Sequence, residues 1–202
     1  MGKIKLLLYC TRQMPRLVFT DGKWWLDNSK ENTYWEKEQP APIGYNGKII
    51  AECDYDVEEI ECRTSVGTNG IHDEYTTKSL GENELLFASK IDEITFINYL
   101  KGKNGYAIHI KNLNIFDRPR KLSCYSTYTK EIINTWWFYL NHKKAKQLEK
   151  APQNMMYCYG NNTGEKYILI SIHPEWLCKI LNGEKTIEVR KKVLKEMIMN
   201  GK

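Results

Sequence analysis

Residues 167–190, YILISIHPEWLCKILNGEKTIEVR, constrain the fold more than any other stretch, because each local signal in them agrees with the next. Tyr167 to Ile172 is a run of apolar, strand-compatible side chains. Pro174 suits the first turn of a helix, where its missing N–H costs nothing, and Trp176, Leu177, Ile180 and Leu181 continue that helix. Gly183 stops it, and Thr186 to Arg190 reads as a second strand. A chain that carries such a strand-helix-strand unit must provide a sheet for both strands.

The rest of the sequence supplies one. Ile4 to Cys10 (IKLLLYC) reads as a buried strand, and Gly47 to Cys62 as a long, bent one. Tyr106 to Ile110 and Leu113 to Phe116 form another, expected to close at Asp117, Arg118 and Pro119 because proline cannot continue a central ladder. The MMYCY run within 151–159 adds a short strand. Ile91, Ile94, Ile97 and Leu100 lie at helical spacing, with Gly102 and Gly105 ending the helix. A second helix is expected over 129–150, a polar loop over 63–81, and a hairpin or excursion over 21–47, where Trp24, Trp25, Trp35, Pro40, Pro42 and Gly44 fall. GNNTGEK, residues 160–166, reads as a flexible connector.

Length and composition fit that picture. The 202 residues suffice for one well-buried core, and six Trp with thirteen Tyr favour a β-rich protein over a helical bundle. The net charge of +5 is spread among acidic residues, which permits a phosphate-bearing partner without demanding one. No stretch approaches the roughly 20 apolar residues that span a bilayer, and MGKIKLLLYC is too short for a signal peptide, so a cytoplasmic protein without membrane contact is expected. The six cysteines form no C-x-x-C pair and have no histidine at zinc spacing; they read as reduced thiols, with no metal or other cofactor expected. Cys10 and Cys178 sit in apolar segments and suit small buried hydrophobes.

The closing segment, with G-x-K-T-x-E-x-R at 183–190, strongly resembles the opening of ASCH domains, a branch of the PUA-like superfamily. GKIIAECDYDVEEI, GYAIHIKNLNIFDRPRKL and APQNMMYC resemble further blocks of its phage and bacterial members. The resemblance implies an α+β fold: a PUA-like mixed β-barrel with flanking helices, in one domain over 1–202. The block order differs, since in that family the G-x-K-T-x-E-x-R unit comes first and a strand like IKLLLYCT follows. This looks like a circular permutation, with 1–159 matching the family's later elements, 160–166 joining them to its opening unit at 167–202, and a cut between MNGK and MGKIK.

By the two-residue strand period, Glu188 and Arg190 point to one face, with Lys185 at the strand's mouth. In proteins that look like this one, the cleft between this strand and the preceding helix, here 174–182, is the ligand site. An Arg fork grips a phosphate or carboxylate, Lys adds a mobile charge, and Glu accepts from a base amino group, which suits RNA or a nucleotide. The same three residues also fit a solvent-facing ladder of ion pairs worth little energetically. Ser171 and His173, with Cys10 and Thr11 of the neighbouring strand, would edge the cleft, although a histidine at His173 also suits a turn or helix cap.

Some similar ASCH proteins hydrolyse acylated cytidine with a Lys, a Thr nucleophile and a Glu, and others act on RNA. Here Glu188 stands at the position matching that threonine, so an enzyme of this kind would rely on Lys185 and Glu188, with Thr186 as a shifted hydroxyl. Nucleic-acid binding could also use Trp24, Trp25, Trp35, Trp136 and Trp137 for stacking and His142 to Lys146 for phosphates, although Trp136 and Trp137 equally suit packing. A monomer is expected.

Overall fold

The computed structural model describes residues 4–28, 44–67, 70–135 and 138–199. Its central sheet uses β1 (Lys5–Cys10), β4 (Ile49–Gly67), β6 (Gly105–Arg120), β7 (Tyr125–Thr135), β8 (Phe138–Gln147), β9 (Met155–Gly160), β10 (Lys166–Ile172) and β11 (Ile187–Arg190). They run in the order β11-β6-β4-β1-β10-β9-β7-β8, with β5 (Gly70–Thr76) paired to β4. A separate hairpin joins β2 (Arg16–Thr20) to β3 (Lys23–Asp27), and the helices are α1 (Glu82–Ser89), α2 (Glu93–Leu100), α3 (Pro174–Leu181) and α4 (Lys195–Met199). The architecture is thus α+β, dominated by strands, and none of the helices is long and apolar enough to cross a membrane.

The strand-helix-strand unit forms as expected, as β10, α3 and β11, but its two strands are not neighbours. β10 pairs in parallel with β1, from Lys5 opposite Tyr167 to Cys10 opposite Ile172, whereas β11 lies antiparallel to β6. Both β1 and β10 are apolar on consecutive positions because both sheet faces are covered. Leu6, Leu8, Cys10, Ile168, Ile170 and Ile172 enter a first core, sealed by Leu177, Cys178, Ile180 and Leu181 of α3. Leu7, Tyr9, Tyr167 and Leu169 enter a second core on the opposite face. A third, between α1, α2 and the outer face of β4, β6 and β11, holds Ile60, Phe96, Leu100, Ile187 and Val189.

Several expectations are corrected. The described residues of 129–150 form no helix: β7 and β8 pair antiparallel, from Ser126 opposite Gln147 to Thr135 opposite Phe138. The spacing of Ile132, Ile133 and Leu140 fits a helix, but the β-branched and aromatic residues of this stretch favour a pleated ribbon. Trp136 and Trp137 lie outside the described residues, as do Trp35, Pro40 and Pro42. The supposed loop at 63–81 is instead the outer half of β4, returning as β5 and leading into α1; its strands are too polar to alternate visibly because most of their surface is wet. β6 runs on through Pro119, which falls where the register with β4 shifts and no ladder N–H is required.

Residues 160–166 are a tight turn rather than a loose connector. Gly160 N–H donates to Glu165 O at 3.0 Å, and Asn161 Nδ2 donates to Ser123 O at 2.8 Å. α2 begins at Asp92, whose carboxylate accepts from Thr95 N–H, and ends with Lys101, not glycine, in the left-handed conformation. Gly105 serves close packing instead: a Cβ there would lie 2.8 Å from Leu100 Cδ2 and 3.2 Å from Arg190 O. A larger residue would push β6 away from β11.

Candidate ligand site

After α3, a tight turn carries the chain into β11, with both Glu184 N–H and Lys185 N–H donating to Lys179 O. β11 then alternates: Ile187 and Val189 face the third core, so Glu188 and Arg190 take the other face. The expected shared face is observed, and it is not a solvent ladder. Lys185 is 2% exposed and Glu188 6% exposed.

The three charges satisfy one another. Lys185 Nζ lies 3.4 Å from Glu188 Oε2, and Arg190 Nη2 lies 2.9 Å from Glu188 Oε1. Lys185 Nζ also donates to Ser89 O at the end of α1 (2.6 Å) and stands 5.3 Å from the Trp176 ring. Arg190 reaches further, donating from Nη2 to Ser171 O at 2.7 Å and from Nη1 to Asn154 Oδ1 at 3.1 Å. Asn154 in turn donates to Lys192 O and accepts from Ser171 N–H. The sheet between β11 and β10 therefore curls far enough for one guanidinium to span from the first to the second.

Opposite partners in a ladder share a face, so Glu59, Tyr106 and Arg190 form a row across β4, β6 and β11. Burial falls along it, from the half-buried Arg190 and Tyr106 to the exposed Glu59. The row thus links the buried cluster to an exposed side chain on β4.

Burial pushes the Lys185 ammonium below its ordinary value of 10.5, with Glu188 only partly offsetting the loss of water. Between the lowered folded value and 10.5, the unfolded chain holds more protons at this site than the native protein, so stability rises with pH across that window. Lys185→Met should remove this rise: urea unfolding from about pH 7 to about pH 10 should show wild type gaining on the variant. Parallel profiles would show that Lys185 does not titrate differently in the native state.

The other expected site residues separate. His173 caps α3, its Nδ1 accepting from Glu175 N–H at 3.4 Å. Cys10 is fully buried in the first core, where loss of water pushes its thiol up to about 12. It packs there as a small hydrophobe and edges no open cleft. Ser171 and Thr11 lie on the opposite side of the sheet from Cys10 and Ile172, as Tyr9 does. Thr186 is exposed, while Lys185 is buried. Trp24 is also buried, with its main chain clasped by the Asn182 side chain through bonds of 3.1 and 3.0 Å, so it anchors β3 to α3; Trp25 is 55% exposed.

Thiol chemistry provides a direct check of this placement. With a thiol reagent on the native protein, exposed Cys124 should react first and half-buried Cys62 more slowly. Cys10, Cys53 and Cys158, each pushed up to about 12 by burial, should stay silent until the protein unfolds. Mass spectrometry of the labelled peptides reads the order.

Asn154, Ser89 and Trp176 complete the cluster without having been singled out from the sequence. Asn154 lies in the APQNMMYC block, which was the one available signal. Among the described residues, no group of His, Cys, Asp and Glu is arranged to hold a metal ion. No family model, curated protein or solved structure matches the chain.

Proposed function

We propose that this chain is an RNA- or nucleotide-binding module of the ASCH, PUA-like kind, acting in the cytoplasm, with Lys185, Glu188 and Arg190 as its recognition cluster. The observation that carries this reading is the burial of Lys185 and Glu188 in one ion-paired group with the half-buried Arg190, beside a row of side chains that ends at the exposed Glu59. Taking charges out of water costs several kcal/mol per ion, and a fold of this size gains little stability from such a cluster compared with apolar packing. A buried lysine with lowered proton affinity and a specific charge partner is a mark of a functional site. A nucleotide entering past Tyr106 would meet the Arg190 guanidinium first, with Glu188 behind it.

The permuted order of blocks has its own support. Ile4, just before β1, and Leu194, just before α4, both pack on the first core, and Lys166 of β10 pairs with Glu196 of α4 at 2.5 Å. The first and last described segments are therefore neighbours, as an exchanged order requires. The depressed Lys185 also favours a second reading, a hydrolase on a modified nucleoside or RNA that uses Lys185 and Glu188 for proton transfer.

One experiment separates the two. Wild type, Arg190→Lys and Lys185→Met are titrated with nucleotides and short RNAs and incubated with acylated cytidine. Arg190→Lys, which keeps the charge but loses the fork, is expected to weaken binding about tenfold without turnover in any sample. Wild-type turnover abolished in Lys185→Met would establish the hydrolase. Equal affinity in all three proteins would remove the cluster from the binding site.

A further inference from the structure

The carboxyl ends of the parallel pair β1 and β10 open into a chamber of about 360 Å³ on the face turned away from Glu188. Tyr9 and Ser171, direct register partners, form its floor, and Leu122, Ala151 and Pro152 give it apolar walls. Its volume falls within the range of small-molecule sites, about 300 to 1,000 Å³.

Its polar groups have capacity to spare. Thr11 Oγ1 is buried yet has no hydrogen-bond partner, although buried hydroxyls are nearly always paired. Leaving that bond unmade is costly, and an occupant offering a donor or acceptor would recover the cost. The Thr11 N–H is already given to Ile172 O, which fixes the backbone of the residue at the end of β1. Ser171 Oγ donates to Pro152 O at 2.6 Å, which fixes the floor and leaves its oxygen able to accept.

The rim is charged. Arg12 lies across Gly47, where a Cβ would come within 3.2 Å of Arg12 Cγ and Nε, and the positive φ of +79° there suits glycine. Gly47 thus leaves the space that the Arg12 stem fills. Arg12 has no hydrogen bond or ion pair to any described residue, and Lys150 is a second cation at the chamber, against the single carboxylate of Glu149. A free guanidinium fork is the side chain best matched to a phosphate's oxygens, and Glu149 can accept from an amino group.

We propose that this chamber is a second binding site, for a phosphomonoester carried on a nucleoside-sized group, either a free nucleoside monophosphate or the terminal nucleotide of an RNA. Arg12 and Lys150 hold the phosphate, the floor and walls take the apolar face of the base or sugar, and Thr11 Oγ1 bonds to a ligand hydroxyl or carbonyl. The site uses none of Lys185, Glu188 and Arg190, although Arg190 holds the carbonyl of Ser171 from the other side. It therefore stands or falls independently of the recognition cluster.

The test titrates the full chain by calorimetry with the four ribonucleoside 5′-monophosphates, the matching nucleosides, inorganic phosphate and 5′-phosphorylated and unphosphorylated RNAs. At least one monophosphate is expected to bind about tenfold or more tightly than its nucleoside and than inorganic phosphate. Arg12→Ala, an exposed position whose loss spares the core, should remove about tenfold of that affinity, and the isosteric Thr11→Val a few-fold. A preference of the phosphorylated over the unphosphorylated RNA, lost in Arg12→Ala, assigns the ligand to an RNA end; its absence assigns a free nucleotide. Failure of every monophosphate and RNA end to bind overturns the proposal. So does binding that Arg12→Ala leaves intact and Arg190→Lys abolishes, which places the ligand in the recognition cluster instead.

Discussion

Glu188→Ala is expected to cost about 3 to 5 kcal/mol of folding stability, more than removal of almost any apolar side chain at the protein's surface. The carboxylate is the hub of the buried cluster, accepting Lys185 on one oxygen and Arg190 on the other. Among the described residues, its removal leaves a nearly inaccessible ammonium with the Ser89 carbonyl as its one polar partner. Glu188→Gln keeps the shape and one hydrogen-bond acceptor but not the charge, and should fall between the two.

A double substitution sharpens this. If the loss arises from an uncompensated Lys185, then Lys185→Met should recover part of it, and Glu188→Ala with Lys185→Met should be less destabilised than the sum of the two single variants. Urea unfolding at neutral pH measures all four proteins. Simple additivity would mean that Glu188 stabilises the fold by packing alone.

The parts of this fold legible in the sequence are those whose signals are local. β10, α3 and β11 were readable because Pro174, Gly183 and the apolar runs around them each mark a boundary on their own. The β7 and β8 hairpin was not, because a ribbon with apolar residues at 132, 133 and 140 satisfies a helical template as well as a pleated one, and only pairing with β9 at Tyr125 and Ser126 decides. β5 was missed for a different reason: GIHDEYT offers only Ile71 and the fully buried Tyr75 as large apolar positions, four residues apart among polar neighbours, so no clear alternation announces a strand.

The site divides in the same way. The two-residue period alone puts Glu188 with Arg190, and the structure agrees. What the sequence could not supply are the partners that come from elsewhere: Ser89 lies 96 residues from Lys185, and Asn154 lies 36 from Arg190. Whether Ser171 and Thr11 join Cys10 or oppose it depends on the register of β1 against β10, which sets Tyr9 against Ser171 and Cys10 against Ile172. Strand identity was readable, but register was not.

Arg190→Ala is the second large effect expected, a loss of about 3 kcal/mol or more, because one side chain here holds three segments together. It binds Glu188 within β11, the Ser171 carbonyl of β10 and Asn154 before β9, and no described backbone ladder joins β11 to β10 in its place. Among the described residues β11 is an edge strand with β6 as its sheet neighbour, so without Arg190 its backbone hold on the sheet is four residue pairs with β6 and the Ile110 N–H bond to Thr186 O. Hydrogen exchange should therefore show lost protection in β11 and at Ser171 N–H, whose acceptor is Asn154 O, while β1 and β4 stay protected. Arg190→Lys, able to reach one acceptor but not three, should recover less than half of the stability. A uniform loss of protection across the sheet would instead mean that β11 unfolds only with the whole protein, and that Arg190 fastens no separate edge.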